Sequence, residues 1–147
     1  MVNVKTVEPP QMGKALGYSH GMRAGNLLFV AGQIGGTPND EGRHDVVDGG
    51  LVPQFEKALE NVVTVVEEAG GHAENVVEMT VYVTDMQAYR TAREELGKSW
   101  RKVMGRHFPA MTLVAVTELF EAGALVELRA IAALNPELDL DASGEVC

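Results

Sequence analysis

His107-Phe108-Pro109-Ala110-Met111-Thr112-Leu113-Val114-Ala115-Val116 and, shortly after it, Gly123-Ala124-Leu125-Val126-Glu127-Leu128-Arg129-Ala130-Ile131-Ala132 decide how this chain is read. Both stretches read as β-strands, joined by a short connection. The second sets one carboxylate, Glu127, among apolar neighbours. Desolvating a carboxylate there is costly unless it has a partner or a task. Side chains alternate along a strand, so Val126, Leu128, Ala130 and Ala132 form one face and Leu125, Glu127, Arg129 and Ile131 the other. Arg129 stands about 7 Å along the strand from Glu127 on that mixed face. Glu127 is therefore either an acid–base group or half of an ion pair.

Working outward, residues 2–7 alternate as an edge strand would. Residues 19–24 and 27–32 flank Gly25-Asn26, a permissive hairpin turn. Residues 35–50 are polar and rich in Gly and Asp, and read as an unusually long loop. Residues 51–69 predict a helix, with Phe55, Leu59, Val62 and Val66 on one face, Pro53 in the first turn and Gly70-Gly71 as the stop. Residues 75–84 predict a strand apolar on both sides. Asp85 can cap a second helix running to about residue 104, with Tyr89, Ala92, Leu96, Trp100 and Val103 inward and Gly105 as terminator. The order is strand, hairpin, helix, strand, helix, hairpin: an α+β domain with two helices covering one sheet face. The mixed second face, still half apolar, suggests association with copies of the same chain.

The chain has 147 residues, 46% of them apolar, enough for one domain with a core. The expected division is a domain over residues 1–135 and a mobile acidic tail over 136–147, where Glu137, Asp139, Asp141 and Glu145 meet no Lys or Arg. The net charge is −9, which argues against a nucleic-acid backbone as partner. No apolar run is long enough to span a bilayer and residues 1–5 lack a leader pattern, so no membrane partner and a cytoplasmic location are expected. The single cysteine, Cys147, suggests neither a disulfide nor a nucleophile.

The segments Gly17-Tyr18-Ser19-His20, Gly25 through Ile34, Ala58-Leu59-Glu60-Asn61-Val62, Val81-Tyr82-Val83-Thr84-Asp85-Met86, Phe108-Pro109-Ala110 and Leu125-Val126-Glu127 resemble, as an ordered set over residues 14–133, the RidA (YjgF) family. The resemblance implies a chorismate-mutase-like fold, one six-stranded sheet backed by two helices. It also implies a homotrimer with small-molecule clefts between subunits, and hydrolysis of enamines and imines such as 2-aminoacrylate with no metal or organic cofactor. Tyr18 aligns with the family's aromatic cleft residue, Gly32 with a glycine whose backbone approaches the ligand, and Glu127 with the carboxylate that positions or protonates water. The departure is Met111. Deaminating members carry Arg there, and its guanidinium holds the substrate carboxylate bidentately. Ala31 replaces a usual Ser, Leu113 stands where Cys or Thr is frequent, and Arg129 stands where many members have Glu.

The expected site therefore has Glu127 and Tyr18 as catalytic residues, with Gly32, Ala31, Tyr89, Met111, Thr112 and Arg129 as substrate contacts. His20 could reach the cleft rim. His107 reads as a helix-end residue, His44 beside Asp45 and Asp48 matches no metal spacing, and His72 reads as loop punctuation. Without an Arg at 111, the expected substrate is larger, less acidic or neutral rather than 2-aminoacrylate. The alternative is a trimer that binds a small molecule without turning it over.

Overall fold

The computed structural model describes residues 2–136; the tail from 137 onward, Cys147 included, lies outside the described residues. Six strands form a mixed sheet. In chain order they are β1 (Val4–Val7), β2 (Gly21–Ala24), β3 (Leu27–Ile34), β6 (Val76–Val83), β7 (Ala110–Ala115) and β8 (Val126–Ala133), and in space they run β1-β2-β3-β8-β6-β7. The β2–β3 hairpin turns at Gly25, whose φ of 59° lies in the left-handed region that glycine enters without a Cβ penalty.

One expectation is corrected by this order. The two C-terminal strands are not a hairpin: β8 lies between β3 and β6, and β7 pairs in parallel on the far side of β6. The cause is the connection between β6 and β7. It contains α2 (Met86–Thr91) and α3 (Arg93–Met104), and a helical crossover of this length returns the chain parallel to the strand it left. The slot on the other edge of β6 is then filled by β8. The residues read as a strand apolar on both sides thus form an interior strand, with Met79, Val81 and Val83 fully buried.

Two further expectations are refined. The long loop over 35–50 folds back on itself as a two-stranded ribbon, β4 (Gly36–Pro38) with β5 (His44–Val46). Its strands are too short to show a clear alternation in sequence. The second helix is two helices that meet at Ala92, with φ −91° and ψ 10°, although neither Gly nor Pro marks the break. Asp85 caps as expected, its Oδ1 accepting from the Ala88 N–H at 3.0 Å.

Helix α1 (Leu51–Glu68) lies across the sheet with Phe55, Leu59, Val62 and Val66 buried, against the Val126, Leu128, Ala130 and Ala132 face of β8. Two polar residues on α1 are also buried. The Asn61 amide donates to the Ile34 and Gly36 carbonyls at 3.1 and 3.0 Å. Gln54 donates to the Gly123 carbonyl at 3.0 Å and accepts from the Leu125 N–H at 2.8 Å. Buried amides satisfied in this way fix backbone position. Here they fix the end of β3 and the approach to β8, which are the two walls of the site.

Among the described residues, no helix packs on the opposite face of the sheet. Arg129 is exposed, and Glu127, Ile131, Thr80 and Tyr82 are partly exposed. All six residues of β7, a sheet edge, are exposed, and four of them are apolar beyond alanine or methyl-bearing: Met111, Thr112, Leu113 and Val114. A long apolar edge strand ordinarily requires a cover.

Candidate active site

The site begins with an irregularity in β3. Val30 lies opposite Ala130 and Gln33 opposite Leu128, so β3 carries one extra residue across Ala31-Gly32. Such a bulge bends the strand and re-aims its neighbours. The buried Gln33 side chain donates to the Ala31 carbonyl at 3.1 Å, which stabilises the bulged backbone.

Glu127 fills the space this creates. Its carboxylate lies directly over Gly32: a β-carbon there would collide with Glu127 Oε1 and stand only 2.8 Å from Cδ. The glycine is required because the carboxylate occupies the room a side chain would need. Across the sheet Glu127 is flanked by Ile34 on β3 and Tyr82 on β6. Burial raises its pKa above the ordinary carboxylate value. Among the described residues no ion pair or hydrogen bond to the carboxyl is recorded, and the Arg129 guanidinium points instead to Glu78, at 3.9 Å. A carboxyl raised by desolvation alone holds a proton nearer neutrality than usual, which suits acid–base exchange.

A cavity of about 400 Å³ opens above this carboxylate. Tyr18, Ala31, Gly32 and Glu127 line it, so the structure brings together four of the eight residues expected at the site. The Tyr18 pKa is raised, first by burial and then by the charge of Glu8, so its hydroxyl stays protonated and can donate. Its ring meets His20 edge-on, with centroids 5.5 Å apart. His20 is buried, not at a rim. Its Nε2 lies 3.1 Å from the Gly13 carbonyl, and its Nδ1 has no partner among the described residues.

The other four expected residues lie elsewhere on the chain. Register places Met111 beside the buried Met79 on the helix side of the sheet, and Thr112 beside Thr80 on the open side. Met111 and Tyr89 share a second concavity of about 210 Å³, together with Arg93, Trp100 and Phe108. Trp100 and Phe108 are stacked, their planes 2° apart. Arg129 stands on the open face, outside the residues that line either cavity. His107 ties elements together: its Nε2 lies 2.6 Å from the Val76 carbonyl, and its own carbonyl accepts from Trp100 Nε1 at 3.0 Å.

Sequence reasoning missed one wall of the Glu127 cavity. The β4–β5 ribbon contributes Arg43 and His44, and the segment before β8 contributes Phe120 and Glu121. Arg43 Nε and Nη2 both donate to Glu121 Oε1, at 3.0 and 2.8 Å, and the guanidinium lies 5.9 Å from the centre of the Phe120 ring. Burial pushes the His44 pKa down, partly opposed by the Glu121 charge. No sequence signal joins residue 43 to residue 121. Their meeting depends on the ribbon, whose three-residue strands carry no clear alternation in the sequence. Among the described residues no three His, Cys, Asp or Glu side chains gather as a metal would need, and no helix is long and apolar enough to cross a membrane.

A family model described as Endoribonuclease L-PSP matches residues 10–134. A RutC family protein of Pyrococcus abyssi is 33% identical over 115 residues, covering 78% of this chain and 84% of its own. The 2-iminobutanoate/2-iminopropanoate deaminase of the mouse is 29% identical over 133 residues, covering 90% and 93%. Among solved structures, Escherichia coli TdcF with bound serine superposes with a TM-score of 0.75 at 26% identity, over 89% of this chain and 99% of that one.

Proposed function

This chain belongs to the Endoribonuclease L-PSP family, the RidA/YjgF group, and from that premise we propose that it hydrolyses the C=N bond of a small imine or enamine other than 2-aminoacrylate. A general imine-deaminase-like role is supported by the named activity of the mouse relative. The observation that carries the reading to this chain is Glu127: a carboxyl raised by burial, unpaired among the described residues, at the base of a cavity sized for a metabolite.

In the proposed reaction, Glu127 takes a proton from water as its oxygen attacks the imine carbon. The C=N π electrons move to nitrogen, giving a carbinolamine. Glu127 returns this proton to nitrogen to complete the carbinolamine, then takes the hydroxyl proton and passes it to nitrogen as well; the C–N bond breaks, ammonia leaves and the oxygen becomes the carbonyl. Tyr18, protonated, donates a hydrogen bond to the reacting group. The protein supplies position and one proton carrier, and general acid–base help of this kind is worth about 10²–10⁴-fold.

The proposed assembly is a homotrimer in which the exposed β7 of one copy covers the open sheet face of the next. Met111, Thr112 and Tyr89 would then approach a neighbour's Glu127 cavity. Light scattering at micromolar concentration is expected to give three chains per particle. A monomer would remove both the assembly and the interfacial cleft. The family's descriptive name also raises RNA cleavage, but a chain of net charge −9 supplies few of the cations that phosphate binding needs.

Met111 limits the substrate range. A thioether cannot hold a carboxylate as a guanidinium does. Hydrolysis of enzymatically generated 2-aminoacrylate, followed as pyruvate release, is expected to be slow. Met111→Arg is expected to raise it at least tenfold if the rest of the cleft is intact. A wild-type rate equal to that of the mouse relative would refute the role given to position 111.

A further inference from the structure

We propose that Arg43 is the substrate anchor of the Glu127 cavity, and that the substrate carries a carboxylate on an apolar body. The proposal rests on reading that cavity as the substrate site. It narrows the substrate to an acid, where the loss of Arg at 111 taken alone favours a less acidic or neutral molecule.

Arg43 is the one Lys or Arg side chain among the described residues that lines this cavity. It is held on two sides. One edge of the guanidinium, Nε with Nη2, is committed to a single oxygen of Glu121 at 3.0 and 2.8 Å. One flank lies toward the Phe120 ring, 5.9 Å away, at a distance where a cation is attracted to the ring face. Glu121 is itself well buried, its side chain 12% exposed, whereas that of Arg43 is 54% exposed. The buried partner therefore orients the exposed one.

What remains is the other edge, Nη1 with the second hydrogen of Nη2, which meets no acceptor among the described residues. Two parallel N–H donors held in one plane match the two oxygens of a carboxylate. The ligand need not displace Glu121, because it uses the opposite edge. The rest of the lining fits an apolar body: Leu16, Ala31, Ile34 and Phe120 surround the space, and Phe120 is 92% exposed. At about 400 Å³ the cavity exceeds what a three-carbon imino acid fills.

The test is calorimetric titration of the assembled protein with 4-methyl-2-oxopentanoate, a carboxylate with an apolar body, and with 4-methyl-2-pentanone, which lacks the carboxylate. Wild type is expected to bind the acid at least tenfold more tightly than the ketone. Arg43→Met is expected to abolish that preference, and Arg43→Lys, which lacks the fork, to restore only part of it. High salt should weaken the acid and not the ketone, because the anchor is partly exposed. Equal binding of the two ligands by wild type, or no binding of the acid, overturns the proposal. So does an Arg43→Met protein that melts lower yet keeps the preference, since the pair with Glu121 would then only hold two loops together. Loss of the preference in Arg93→Met alone would place the anion in the Met111 concavity and overturns it as well. Binding is read without turnover: if Arg43 selects the acid but no imine is hydrolysed, the anchor stands and the hydrolase reading fails.

Discussion

Glu127→Gln is expected to cut turnover by about 10²–10⁴-fold while leaving fold and assembly intact. Glutamine keeps the shape of the side chain but exchanges no proton. The same variant carries a stability signature with a definite sign. Burial raises the carboxyl pKa in the folded state. A group so raised contributes stability that is fully present below its unfolded-state value and is lost as pH rises through the folded-state value. Glutamine is neutral throughout. The variant is therefore expected to match wild type in acid and to melt higher than wild type above the folded-state pKa. If Glu127 were instead one half of a buried ion pair, its loss would lower stability at neutral pH by several kcal/mol, on the order of 3–5. Melts in acid and at neutral pH, with one activity assay, separate the two cases.

Gly32→Ala is expected to be as damaging by a different route. The added carbon would meet Glu127 Oε1 and stand 2.8 and 3.1 Å from Cδ and Cγ. Either the carboxylate swings out of place or the β3 bulge shifts, and overpacking of this kind costs about 1–3 kcal/mol. Activity should fall with the displaced carboxylate. Adding Glu127→Ala to Gly32→Ala removes the colliding atoms, so the double variant is expected to regain stability and not activity. A Gly32→Ala protein that is stable and fully active would show that the carboxylate position does not matter to the reaction.

The fold was legible wherever periodicity was strong. Phe55, Leu59, Val62 and Val66 announced α1 and its buried face, and Gly25-Asn26 announced the first hairpin. Pairing was less legible. Strands β7 and β8 are neighbours in sequence, and only the helical crossover after β6 keeps them apart in space. The 36–46 ribbon escaped because three-residue strands carry too few alternations to be recognised. At the site, the isolation of Glu127 among apolar residues was readable from the chain alone, and the structure gives its reason in Gly32. The Arg43–Glu121 pair was not readable, since it joins positions 78 apart through two loops. Nor was the division of the expected contacts between two faces of the sheet. Alternation puts Met111 and Thr112 on opposite sides, but which of them shares the open face of the sheet depends on the register with β6.

The role given to Glu127 requires that the protein speed C=N hydrolysis. The direct measurement is ammonia release from imines formed in place by an amino-acid oxidase acting on leucine or phenylalanine, with wild type and Glu127→Gln assayed side by side. The expected result is ammonia and 2-keto acid appearing faster with wild type than in buffer, and no faster than buffer with the variant. No acceleration by an intact wild-type assembly on either imine would contradict it, and would leave a protein that binds a small molecule without transforming it.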